Sequence, residues 1–227
     1  MKRILTLLLC ACSVVGMAQK RDTVFLKART SEGHSIYIDQ NRNAKIYKSI
    51  ADTSYTALDR EHKMSLKALS KYRTKSFKKS STLDIPRKWY ALKWYKGKYY
   101  VYAPSDWSSA RISISDSTFI FQDMERTVSL VHKIAKTGAD RYSILRTQEY
   151  AKRRSAVNIY RIDRKRGIAI FENLYDDPDN KGSSYELMVD LNKIRNYPVI
   201  VNYSPQHKEL EFGFDQPDFK ALLKGVK

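Results

Sequence analysis

The chain has 227 residues, a formal net charge of +18 and only two cysteines, Cys10 and Cys12. Both cysteines fall within the first 18 residues, which excludes a disulfide framework or a cysteine metal site in the rest of the chain. Stability must then come from a hydrophobic core, and the length suffices for one domain of ordinary size or a domain with an arm.

Residues 1–18 have the layout of a secretory signal peptide. Lys2 and Arg3 form a short positive segment, residues 4–15 are apolar or small, and small residues flank a cleavage point after Ala18. The apolar run is about a dozen residues, shorter than the roughly 20 that a transmembrane helix needs. No later segment is long and apolar enough to span a membrane. We therefore expect an exported protein, periplasmic or extracellular, with no transmembrane segment.

The same segment permits a second interpretation. Leu9-Cys10-Ala11-Cys12 resembles a lipobox, in which Cys12 would become the acylated N-terminus of a lipoprotein. The apolar run before Cys12 is short, however, and the residues after it are apolar, whereas a lipoprotein tether is usually polar. Anchoring through Cys12 is therefore the less favoured alternative to simple secretion.

Residues 19–82 are predicted to form an N-terminal arm. Residues 23–29 and 34–39 have strand composition and are separated by a turn at residues 30–33, which favours a hairpin. Residues 59–72 have the pattern of an amphipathic helix, with Thr56 as a candidate N-cap. A basic linker follows, and we place the start of a second unit at residue 83.

Positive charge is concentrated around this linker. Between Arg60 and Lys98 there are 13 lysines and arginines against two acidic residues. Such a stretch attracts polyanions, and export favours an anionic polysaccharide or lipid surface over nucleic acid. A solvated basic surface without a partner is the alternative. The candidate contacts are Arg73, Lys75, Lys78 and Lys79.

Residues 83–227 are predicted to form a mainly β domain. Eight to eleven short strands follow one another from Trp89 to about residue 214, separated by turn residues and without long helices between them. This order favours an antiparallel barrel or sandwich over a parallel α/β sheet. Residues 218–224 are predicted to form a short C-terminal helix.

The part of the chain from Trp89 onward resembles a lipocalin-like (calycin) β-barrel. The resemblance lies in an exported chain, an aromatic-rich first strand, successive hairpins and a late short helix. The family's Gly-x-Trp is absent, since Leu92 and Lys93 precede Trp94, and so is its Thr-Asp-Tyr. The resemblance implies an up-and-down barrel and a small hydrophobic ligand, and it carries over no functional residues.

Motifs for phosphate or nucleophile chemistry are absent. The eight glycines are never within five residues of one another, which excludes the dinucleotide fingerprint, the P-loop and the Gly-x-Ser-x-Gly elbow. The histidines have no metal-ligand spacing, and His132 is expected to be a core residue. The acidic residues at 176–182 fit a hairpin turn better than a calcium loop. We expect no metal and no cofactor.

Carboxylates on or near predicted strands leave open a glycan-active enzyme, which would need two of them to face one cleft. The candidates are Glu172, Glu186, Glu209 and Glu211.

Aromatic residues are the most distinctive feature, with eight between Trp89 and Trp107. Strand alternation sends Tyr100 and Tyr102 to one face and Tyr99 to the other, so one face could be core while the other lines a pocket. Simple core packing is the alternative. The candidate ligand-binding residues are Trp94, Tyr99, Tyr100, Tyr102 and Trp107.

The sequence thus predicts a non-enzymatic envelope protein that binds a small amphipathic or hydrophobic ligand in an aromatic-lined barrel. The alternatives are a basic interaction protein on an anionic polymer or lipid surface, and a glycan-active enzyme.

Overall fold

The computed structural model describes residues 23–27, 30–51, 56–72, 84–105, 109–148, 153–177, 180–205 and 210–226. The predicted signal peptide at 1–18, the linker at 73–82, and the single residues Trp107 and Glu209 lie outside the described residues.

Twelve strands and three short helices make up the described regular structure, with single 3-10 segments at Ser70–Tyr72 and Leu191–Asn196. The strands are β1 (Thr23–Lys27), β2 (Ser35–Asp39), β3 (Lys88–Tyr95), β4 (Lys98–Ala103), β5 (Arg111–Ile114), β6 (Thr118–Gln122), β7 (Arg126–Lys136), β8 (Arg141–Gln148), β9 (Arg154–Asp163), β10 (Ile168–Asp177), β11 (Asn180–Asp190) and β12 (Val199–Tyr203). The helices are α1 (Ile46–Ala51), α2 (Thr56–Leu69) and α3 (Phe219–Leu223).

Eight of the strands close into an antiparallel barrel. Strands β5 to β11 pair in chain order, and β3 completes the ring by pairing with β5 on one side and β11 on the other. The neighbours from β5 to β11 are successive hairpins, because short turns join antiparallel strands at low entropic cost. The predicted mainly β, antiparallel fold is confirmed, and the choice between barrel and sandwich is settled as a barrel.

Strand β3 belongs to two sheets. Its first half lies in the barrel wall, while Leu92 to Tyr95 pair with β4 and lead into a side sheet of order β3-β4-β12-β2-β1. The β1–β2 hairpin joins this sheet by pairing β2 with β12, and β12 runs parallel to β4. The N-terminal hairpin is therefore hydrogen-bonded to a strand near the other end of the chain.

The turn between β3 and β4 shows how local sequence sets the side sheet. Lys96 and Gly97 both have positive φ, 47° and 74°, which is the conformation of a two-residue hairpin turn that matches strand twist. The backbone N–H of Lys96 donates to Asp215 Oδ2 at 2.6 Å, and Asp215 forms a bridge with Trp94. The sequence pattern predicts a strand at residues 209–214, but residues 210–214 form none, and the single bridge of this segment lies at Asp215.

The barrel interior holds a continuous apolar core at one end. Its largest members are Trp89 and Phe171, whose rings meet at 5.2 Å, and Tyr142. The other members are Ile85, Ala91, Ile112, Ile114, Phe119, Val131, Ile134, Ile144, Val157, Ile159, Ala169 and Met188.

Two further cores lie outside the barrel. One packs α1, the 3-10 segment Leu191–Asn196 and α3 against the outer faces of β3, β10 and β11. The other packs the chain around Phe212 and Phe214 on the opposite face of the side sheet. Helix α2 covers β7 through Leu66 and Leu69, which confirms the predicted amphipathic helix. The division of the chain into an N-terminal arm and a barrel domain stays a prediction.

The segment just before β3 closes the apolar end of the barrel. Ile85 belongs to the interior core, and Trp89 Nε1 donates to the carbonyl oxygen of Pro86 at 2.8 Å. Asp84 accepts hydrogen bonds from the Tyr142 hydroxyl and from Arg161 Nη2, the latter at 3.1 Å. These contacts join the ends of β8 and β9 to one acidic side chain.

Candidate functional site

The register of the barrel strands determines which side chains face the interior. Tyr142 and Ile144 of β8 both belong to the interior core, and alternation then turns Arg146 inward as well. In β11 the same argument starts from Met188 and places Glu186 inside. The strands thus continue past the apolar core with polar residues facing the same interior.

We call this inward-facing set the interior polar cluster. Each member lies two or four residues from an interior core residue on its own strand, toward the end of the barrel away from Asp84. The cluster consists of Lys93, Ser129, Arg146, Ser155, Asn173, Tyr175, Ser184 and Glu186.

Arg146 is the most enclosed charge in this cluster, with 5% of its surface exposed. Its Nη2 donates to Asn173 Oδ1 at 3.3 Å, and its guanidinium carbon lies 4.4 Å from the centroid of the Phe119 ring. Its Nε is enclosed and has no hydrogen-bond partner among the described residues. Burial lowers the pKa of Arg146 to about 10, against the opposing charges of Tyr175 and Glu186, so the side chain stays protonated at neutral pH.

Glu186 is the matching carboxyl group. It is half-buried, and its Oε2 is enclosed without a hydrogen-bond partner in the described part of the chain. Burial is the main cause that raises its pKa, with Asp123 adding to it and Lys93 and Arg146 opposing it. Burial also lowers the pKa of Lys93.

The charges of the cluster interact without pairing. Glu186 influences the pKa of both Lys93 and Arg146. Yet, among the described residues, no oxygen of Glu186 lies within 4.0 Å of a charged nitrogen of either side chain. Buried charges in proteins are normally paired or hydrogen-bonded, since several kcal/mol are lost otherwise. The arrangement therefore offers unused polar contacts to a molecule inside the barrel.

Apolar residues lie immediately beside these polar groups. Phe119 supports the guanidinium of Arg146, Val131 is its cross-strand partner, and Phe171 is the cross-strand partner of Glu186. A small number of polar groups on an apolar wall is the usual composition of a small-molecule site.

The predicted ligand-binding residues Trp94 and Tyr99 lie on the side sheet, outside the interior core. They are cross-strand partners, and their rings meet edge to face at 4.6 Å. The guanidinium of Arg166 lies 5.0 Å from the Tyr99 ring. Both side chains remain half-buried.

Tyr100 and Tyr102 lie on the opposite face of the same sheet from Tyr99, as alternation predicts. Tyr100 is buried in the core formed with Ile36 and Ile200, and the Tyr102 ring contacts Phe214 at 4.9 Å. The structure thus brings the four described aromatic candidates together in two separate pairs. Their role in ligand binding stays a prediction, as does that of Trp107, which lies outside the described residues.

The predicted polyanion contacts Arg73, Lys75, Lys78 and Lys79 also lie outside the described residues.

Three of the four carboxylates of the enzyme hypothesis lie in the described residues: Glu172, Glu186 and Glu211, of which Glu211 is exposed in the segment after β12. Glu172 accepts hydrogen bonds from Asn158 Nδ2 at 2.9 Å and from the hydroxyls of Tyr160 and Tyr185, both at 2.8 Å. These bonds hold its pKa below the usual range although burial opposes them. Glu172 faces the outside of the barrel wall and Glu186 faces the inside, so the two do not share a cleft.

His132 lies where β7 shifts register, half-buried, with its Nε2 hydrogen-bonded to Thr147 Oγ1 at 2.8 Å. Burial and the nearby charge of Arg154 lower its pKa. Over the described ranges, no three His, Cys, Asp or Glu side chains come close enough to hold a metal ion. Strands β10 and β11 form a hairpin through the acidic 176–182 stretch.

A groove of about 320 Å³ lies outside the barrel, between α2 and the β5–β6 hairpin. Arg87 at its edge is already paired with Asp116 at 3.0 Å, and Ile114 forms part of its floor. Arg87 thus has a carboxylate partner at its Nη2, which Arg146 lacks among the described residues, although Arg87 Nη1 is enclosed without a hydrogen-bond partner there.

The sequence argument missed Arg146, Asn173 and Lys93, and it named Glu186 only as a strand carboxylate. Strand β8 reads Tyr-Ser-Ile-Leu-Arg from Tyr142, with apolar side chains on both faces, so alternation alone does not tell which face is inside.

Comparison with models of known protein families gives no match, and neither does comparison with curated proteins or with solved structures. Within the described residues, the longest helix falls short of what crossing a membrane requires in both length and apolar character.

Proposed function

We propose that the protein is a non-enzymatic binding protein that takes a small amphipathic ligand into the half of the barrel that carries the interior polar cluster. The observation that supports this most is the pair of enclosed, unpartnered atoms, Arg146 Nε and Glu186 Oε2, on the inner wall. A ligand that supplies hydrogen bonds there would remove the cost of leaving them unpaired.

The apolar neighbours of the cluster support an amphipathic ligand over a purely polar one. An apolar body would lie beside the interior apolar core, where each Å² of the ligand's own surface removed from water contributes about 25 cal/mol. The polar end would then reach the cluster. Binding of this kind needs no reaction chemistry.

A binding function also fits the placement of the strand carboxylates. Glu172 is held by three donors on the outer wall, whereas Glu186 stands on the inner wall. Two carboxylates on opposite faces of one sheet do not act on the same glycosidic bond.

Relationship to lipocalin-like (calycin) barrels is part of the proposal. It is supported by eight antiparallel strands that follow one another around a closed ring. Export is likewise a proposal, supported by the composition of residues 1–18.

Native mass spectrometry of the full chain recovered from cells tests the proposal, with a denatured aliquot of the same sample as control. We expect a stoichiometric small mass that is present natively and lost on denaturation. A bare polypeptide mass, unchanged after incubation with a membrane-lipid extract, would contradict it.

A basic interaction protein is the second candidate function. The formal net charge of +18 favours it, because such a charge attracts anionic polysaccharide or lipid surfaces. A bare polypeptide mass in the experiment above would favour this candidate.

A further inference from the structure

We infer that the ligand is a small amphipathic monoanion whose carboxylate pairs with Arg146 inside the barrel. This rests on the proposed function and names the chemical class of the ligand at the same site.

The first step of the argument is the state of Arg146. Its side chain carries a positive charge at neutral pH and is 5% exposed. The one hydrogen bond that it donates to a described residue is 3.3 Å long and goes to a neutral acceptor on Asn173. An enclosed guanidinium whose Nε–H has no acceptor among the described residues can bind a carboxylate in the bidentate geometry that arginine favours. Stacking on Phe119 fixes the plane in which that pairing occurs.

The second step is that the described part of the chain supplies no close counter-ion to Arg146. The charge of Glu186 opposes the burial that lowers the pKa of Arg146, but no carboxylate oxygen of Glu186 lies within 4.0 Å of a guanidinium nitrogen of Arg146. The pairing of β11 with β3 ends at Met188 and Ala91, and Lys93 has a larger effect than Arg146 on the pKa of Glu186. Lys93 is therefore the stronger cationic influence on Glu186, and Arg146 has no carboxylate within 4.0 Å among the described residues.

The third step limits the charge of the ligand. Glu186 and Asp123 both contribute negative charge around the cluster, since the charge of Asp123 adds to the burial that raises the pKa of Glu186. A dianion such as a phosphate monoester would be repelled by these groups, whereas one carboxylate balances one guanidinium. A carboxylate attached to an apolar body meets both conditions.

A matched pair of fluorescent probes tests this inference. The probes are 11-(dansylamino)undecanoic acid and its methyl ester, which differ by one charge, titrated into the full-length protein. We expect the acid to bind about tenfold more tightly than the ester, the ratio that corresponds to one charge-assisted hydrogen bond of about 1.4 kcal/mol.

Two variants locate the effect. R146Q should abolish the preference for the acid while keeping the affinity for the ester, and R154Q, which removes an exposed arginine from β9, should behave as the wild type. Circular dichroism confirms folding, and R146K serves in the same assay should R146Q not fold.

The failures are distinguishable. Equal affinity for acid and ester in the wild type, or an unchanged preference in R146Q, would overturn the carboxylate inference and leave the proposed function standing. Binding of neither probe would overturn both.

Discussion

At the scale of single residues, Arg146 is the clearest departure from what a stable core needs. A buried cation with one neutral hydrogen bond costs free energy that an apolar residue of similar volume would not. Binding sites are among the places where such a cost persists in a folded protein.

Replacing Arg146 by Met should therefore stabilise the ligand-free protein. We expect the free energy of unfolding to rise by about 1–4 kcal/mol, as for other buried ionic groups replaced by apolar ones. Urea denaturation measures this, with the exposed Arg154→Met as control, for which we expect a change within about 0.5 kcal/mol. A loss of stability in R146M would mean that Arg146 is a structural element instead of a ligand contact.

Residue-scale prediction from sequence succeeded where alternation alone decides. Tyr99 and Tyr100 lie on opposite faces of β4, as their neighbouring positions require. It failed for Arg146, because β8 carries apolar side chains on both faces, so the sequence does not tell which face is the interior. Only the closed ring shows that Arg146 lies inside.

At the scale of elements, Asp84, just before β3, holds three strands together at the apolar end of the barrel. We call Asp84 and its partners the clamp. Asp84 joins β8 and β9 through Tyr142 and Arg161, and Lys136 of β7 lies 3.5 Å from its Oδ1. The hydrogen bond from Tyr142 is the largest of the effects that hold the pKa of Asp84 below its usual range, followed by Arg161 and Lys136.

This clamp predicts how stability depends on pH. A carboxyl group with a lowered pKa in the folded state contributes stability above its unfolded pKa of about 4, and that contribution is lost as the pH falls further. Asp84→Asn should lower the stability at neutral pH and flatten the loss of stability below about pH 4. Thermal unfolding from pH 2 to 7 measures both, where Glu125→Gln, at an exposed turn, should retain the wild-type profile. An unchanged profile in D84N would show that the clamp does not hold the barrel end.

Element boundaries followed from the sequence where turn residues are explicit. The turn at Lys96 and Gly97 ends β3 and begins β4 close to the predicted positions, since glycine adopts positive φ without strain. The pairing of β2 with β12 was not foreseen as such, because nothing local in either strand specifies a partner about 160 residues away.

At the scale of the whole molecule, strand β3 belongs both to the eight-stranded barrel and to the side sheet. The barrel encloses the apolar core and the interior polar cluster, while the side sheet continues from the second half of β3 and holds the aromatic pairs. A mainly β fold followed from the succession of strands, but barrel closure depends on β3 pairing on both edges, which strand patterns do not show. Because the second half of β3 pairs with β4, Trp94 and Tyr99 lie on the side sheet, whereas Trp89 at the start of β3 lies in the barrel interior.

The most direct test of where a ligand binds is a crystal structure of the protein with 11-(dansylamino)undecanoic acid. We expect density for the probe inside the eight-stranded barrel, with its carboxylate within hydrogen-bond distance of Arg146 and its chain in the half of the barrel that carries the interior polar cluster. Density confined to the aromatic pairs of the side sheet or to the groove beneath α2, with the interior polar cluster filled only by water, would contradict a ligand site inside the barrel.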